Sequence, residues 1–78
     1  MSELEADELG RSFSAGLRAA IRDRKMDIRT LCETSGIARS ALYRYLDGTR
    51  VPTVTRAKMI ADALGVGVDE LFRGEGGK

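Results

Sequence analysis

The sequence has no histidine and no tryptophan, and only one cysteine and one proline. Without histidine there is no imidazole to act as general base, proton shuttle or metal ligand. The single thiol, Cys32, closes no internal disulfide, and no His/Cys/acid cluster has metal-ligand spacing. No Gly-x4-Gly-Lys-Ser/Thr phosphate-binding loop occurs, and no pair of acids is placed for acid–base work. These absences point to a protein that is not an enzyme, with no catalytic residues, no metal and no cofactor. No apolar run approaches the roughly 20 residues of a membrane span. The opening Met1-Ser2-Glu3-Leu4-Glu5 is acidic and lacks the basic-then-apolar order of a secretory signal. A cytoplasmic protein without membrane contact is therefore expected, and the lone cysteine agrees.

The 78 residues, 42% apolar and 32% charged, suit one soluble domain with a modest core and a thin stability margin. That length leaves little room for a small-molecule site. The net charge of +1 hides a segregation. Residues 1–10 carry four acids and no base, residues 11–60 eleven bases against four acids, and residues 61–78 two bases against four acids. Either the arginine-rich middle is a well-solvated surface, or it is an electrostatic footprint for a polyanion.

No period-2 pattern of useful length occurs, so an all-α fold is expected. Phe13, Leu17, Ala20 and Ile21 draw one apolar stripe on a helix over 12–25, with Arg18, Arg22 and Asp23 on other faces. Gly16 weakens this helix by roughly 1 kcal/mol relative to alanine unless close packing needs the space. Asp27 is a fitting N-cap for a helix over 28–34, held by Leu31 and Cys32 and stopped at Gly36. Cys32 reads as a buried structural thiol. A third helix, 39–46, turns Leu42, Tyr45 and Leu46 inward and Arg39, Ser40, Tyr43, Arg44 and Asp47 outward. Thr53, one residue past the proline, caps a fourth helix whose stripe is Val54, Ala57, Ile60, Ala61 and Leu64. A short fifth helix covers 68–72. Ser2 and Glu5 have capping-box spacing, so residues 1–10 form either a frayed first turn or an acidic tail. The domain proper then spans 11–73, and 74–78 form a flexible end.

Two short helices meeting at Ser35-Gly36-Ile37, the second with two outward arginines, suit the DNA major groove. That groove is about 12 Å wide and admits one helix, and arginine reads guanine by donating to both O6 and N7. The ordered set Leu31, Gly36, Ile37, Ser40, Leu42, Arg44, Gly48, Arg50, Pro52, Ile60-Ala61, Ala63-Leu64-Gly65-Val66 and Asp69-Glu70-Leu71 resembles the phage-repressor and Cro-like (Xre) helix-turn-helix family. The resemblance runs from about Leu17 to Leu71. It implies a five-helix, lambda-repressor-like fold in a bacterial or phage-encoded, nucleoid-associated protein. It also implies a homodimer on operator DNA and a role in transcription regulation, usually repression.

Carried over by position, Arg39, Ser40 and Arg44 match base-reading residues, with Tyr43 beside them. Arg50 and Thr53 match positions near the DNA backbone. Where the family often has glutamine at the start of the second helix, this chain has Ile28, and Arg29 is the substitute phosphate contact. Ala38 stands where a Ser or Asp cap is usual. Some members pair an Arg in helix one with a Glu ending helix three; both aligned positions, Ile21 and Leu46, are apolar here and are expected to touch. Leu71 and Phe72 either close the core or form a dimer seam. A protein-binding module, such as an antitoxin or adaptor on the same fold, is the alternative function.

Overall fold

In the computed structural model, residues 3–73 are described. They form five helices: α1 (Glu3–Arg24), α2 (Ile28–Ser35), α3 (Arg39–Asp47), α4 (Val54–Leu64) and α5 (Val68–Phe72). The expected tail 74–78 and the Ser2 cap lie outside the described residues.

Each helix buries one stripe in a shared core. Phe13, Leu17, Leu31, Leu42, Tyr45, Ile60 and Leu71 are fully enclosed. Phe13 meets the edge of Tyr45 at a centroid distance of 6.1 Å and packs on Phe72 at 4.8 Å, so two aromatic contacts centred on Phe13 join α1 to α3 and α5. α1 lies against α3 and α5, and α2 against α4. Gly16 is where α1 meets α5: a Cβ there would sit inside the Leu71 backbone. The close approach that excuses a mid-helix glycine is therefore present.

α1 starts well before the expected Ser12. At Gly10 it meets the turn after α3, where a Cβ would lie 2.8 Å from the Gly48 carbonyl. The same capping rule is met at two later junctions. Asp27 caps α2 by accepting from the Thr30 N–H at 2.7 Å, and Thr53 caps α4 by accepting from the Arg56 N–H at 3.2 Å. Hydrogen bonds from the Thr30 side chain and then its backbone lower the Asp27 pKa below the ordinary 3.8.

Three expectations need correction. Val54 is 82% exposed, because the first turn of α4 begins beyond the rim of the core although its azimuth continues the inner stripe. Leu71 is fully buried within the single chain, so it closes the core and offers nothing to a dimer seam. Phe72 is half-buried on Phe13. Cys32 is half-buried rather than enclosed, at the margin of the core. Ile21 and Leu46 are both half-buried and packed against the core.

Candidate nucleic-acid interface

The α2–turn–α3 unit follows from backbone rules first. α2 ends when Gly36 enters the left-handed region at φ 77° and returns its N–H to the Cys32 carbonyl at 2.9 Å. A side chain at that dihedral would be strained, which is why glycine stands there. The link is Gly36-Ile37-Ala38, one residue later than expected. Ile37 is buried and its N–H donates to Ser35 Oγ at 3.3 Å, so the corner is pinned to the core. Ala38 is extended and offers no side-chain cap.

α3 is nine residues long, about 13 Å. At about 100° per residue, Arg39, Tyr43, Asp47, Ser40 and Arg44 span one arc of about 140°. Leu42, Tyr45 and Leu46 occupy the opposite arc. Exposure follows this division: all five outer residues are exposed, while Leu42 and Tyr45 are sealed. Tyr43 is 47% exposed, so its ring is half available. The Tyr45 hydroxyl still finds a partner, accepting from Arg56 Nη1 at 3.2 Å.

Among the described residues the ion pairs are Arg22–Asp23, Arg29–Glu33, Lys58–Asp62 and Arg73–Asp69. None involves Arg39, Arg44 or Arg50, so among the described residues no acid engages these three exposed guanidinium groups. Arg29 differs: it lies 3.6 Å from Glu33 in an exposed i,i+4 pair of the kind that contributes little and yields readily to a phosphate. Thr53 uses its hydroxyl oxygen as the α4 cap and keeps its O–H free to donate. Ile28 is half-buried against the core, so the start of α2 contributes packing rather than a polar side chain.

Sequence reasoning missed Arg18, which it left on a solvent face. Its Nε and Nη2 donate to the Leu46 carbonyl at 3.0 and 2.8 Å, and the Ser14 hydroxyl donates to the same oxygen. The available signal was the spacing Ser14–Arg18, one turn apart beside the buried Phe13–Leu17 pair. The acceptor is a backbone atom, however, and no pattern of side chains announces it. Asp47, central in the outward arc at the far end of α3, had been placed outward but given no role.

A family-wide description of helix-turn-helix domains matches residues 17–71, which is most of the chain. The protein belongs to the Xre/Cro-like helix-turn-helix family, a family of DNA-binding regulatory domains. No curated protein and no solved structure matches the chain. No helix among the described residues is long and apolar enough to cross a membrane.

Proposed function

We propose that this protein is a sequence-specific regulator of transcription, acting as a repressor, that docks α3 in the major groove of double-stranded DNA. The observation that carries the reading is the outward arc of α3. It holds two arginines without ion-pair partners among the described residues, on a helix whose opposite face is sealed in the core. Arg39 and Arg44 read guanine, Ser40 and Tyr43 complete the reading face, and Arg29, Arg50 and Thr53 hold flanking phosphates. Phosphate contacts set the register, and base contacts supply the sequence preference.

One module of this size contacts few base pairs, so a homodimer on a two-fold site is the economical arrangement. Its reading helices would lie about 34 Å apart, one turn of DNA. A bacterial cell or phage-infected host is the proposed setting. Neither ligand nor cofactor is needed.

The test is selection of duplexes from a random pool by the intact chain, followed by titration of the selected duplex against a scrambled one at several salt concentrations. The expected result is a two-fold symmetric site, bound with an affinity that falls steeply as salt rises. Retention of no duplex, together with capture of one defined protein partner, would replace this reading with that of a protein-binding module.

A further inference from the structure

We propose that Arg18, outside the reading helix, is a positioning residue that sets the angle at which α3 is presented. The inference rests on the reading of α3 given above. The last four carbonyls of a helix have no partner within it. In α3 the Arg44 oxygen accepts from the Thr49 N–H at 3.1 Å and from its hydroxyl at 3.2 Å, and the Tyr45 oxygen accepts from the Gly48 N–H at 3.2 Å. Those bonds are local and travel with the helix. The Leu46 oxygen is different, because its donors come from α1: Ser14 Oγ, Arg18 Nε at 3.0 Å and Arg18 Nη2 at 2.8 Å. Arg18 Nε also lies 3.4 Å from Ser14 Oγ, so the two side chains act as one clamp.

Both clamp residues follow fully buried neighbours, Phe13 and Leu17, which fix their positions relative to the core. The guanidinium also stands at the negative end of the α3 dipole, where a cation is favoured. Leu42 and Tyr45, with Ala41 and Leu46 at the margin of the core, hold α3 by apolar contact, which resists separation better than tilt. A tilt of 10° about the last turn moves the Arg39 end by about 2 Å. That exceeds the roughly 0.5 Å tolerance of a precise recognition geometry. In family members that link helix one to helix three through an Arg–Glu pair, the bond is between side chains. Here the aligned residues are Ile21 and Leu46, and the link passes to the backbone of residue 46.

The test compares the intact protein with Arg18→Ala and Arg18→Lys. The probes are the duplex selected by the wild type and a scrambled duplex of equal length. Loss of folded protein lowers both affinities equally and leaves their ratio unchanged, so the ratio reports presentation of α3 rather than stability. Arg18→Ala should lower the ratio about three- to tenfold, the effect of losing one charge-assisted interaction at a partly exposed site. The salt dependence should stay as in the wild type. Arg18→Lys should recover part of the ratio, since an ammonium can still donate to the carbonyl.

An unchanged ratio in Arg18→Ala would overturn the proposal. So would parallel loss on both duplexes with a salt slope shallower by about one, which would make Arg18 a phosphate contact. If the wild type retains no duplex, the functional reading fails and the clamp is judged by amide hydrogen exchange. Protection at Tyr45, Leu46 and Asp47 should then fall in Arg18→Ala relative to Ile60 and Ala61 of α4, and equal changes at both places would refute it.

Discussion

At its C-terminal end α3 gives the carbonyls of Arg44, Tyr45 and Leu46 to Thr49, Gly48, Ser14 and Arg18. At its N-terminal end Ala38 offers no side-chain acceptor, and the residues that follow, Arg39 and Ser40, are exposed. One end is anchored into the domain; the other is bare and carries positive charge from both the helix dipole and Arg39. The same chain knows how to close such an end, because α2 and α4 are capped by Asp27 and Thr53. The contrast teaches that α3 is held from behind and left open in front, where an anionic surface could meet it.

Breaking the anchored side altogether should have the largest effect. Leu42→Ala removes a fully buried side chain from the back of α3 and should cost about 2–5 kcal/mol in urea denaturation. Arg44→Ala leaves the fold alone and should cost about 1–3 kcal/mol of binding to the selected duplex while relaxing one base position. Equal loss on scrambled DNA would show Arg44 to be a phosphate contact.

Closing the open end sharpens the comparison. Ala38→Ser supplies the missing acceptor and should stabilise the protein by about 1 kcal/mol, seen as a rise in Tm of about 4–8 °C. A parallel case lies at the end of α1, where Lys25 sits at φ 53° without being glycine, unlike Gly48 after α3 at φ 78°. Lys25→Gly should raise stability by about 0.5–1 kcal/mol.

At the Asp27 cap the effect should depend on pH. The carboxylate's pKa is lowered by its hydrogen bonds to Thr30, so its contribution is complete above the unfolded value near 4 and disappears as pH falls through the folded value. Asp27→Ala should therefore lower Tm at neutral pH, with the deficit closing in acid. A deficit independent of pH would mean that the carboxylate charge is not what stabilises the cap.

Much of this was readable from residues alone. The stripe Phe13–Leu17, the caps Asp27 and Thr53, the stops at Gly36, Gly48 and Gly65, and the two faces of α3 all follow from local rules that act within one or two turns. The failures share a cause. Val54 continues a helical stripe, but periodicity gives an azimuth and not the place where the core ends. Leu71 faces inward on a five-residue helix whose partner, the Gly16 gap in α1, lies far away in sequence. The early start of α1 depends on Gly10 meeting the turn at Gly48, another contact between distant segments. Arg18 bonds to a backbone oxygen 28 residues on, which no side-chain pattern encodes. The outward arginines were legible because exposure on α3 is set by the same period that buries Leu42 and Tyr45.

The most direct measurement is a double-mutant cycle between protein and base. Each guanine of the selected duplex is replaced in turn by 7-deazaguanine, which lacks the N7 acceptor, and binding of the wild type and of Arg44→Ala is compared. At one guanine per half-site the wild type should lose affinity and the variant should lose almost nothing further, because the fork and the acceptor report the same contact. If both proteins lose equally at every guanine, Arg44 does not read the groove and the outward face of α3 is not the recognition surface.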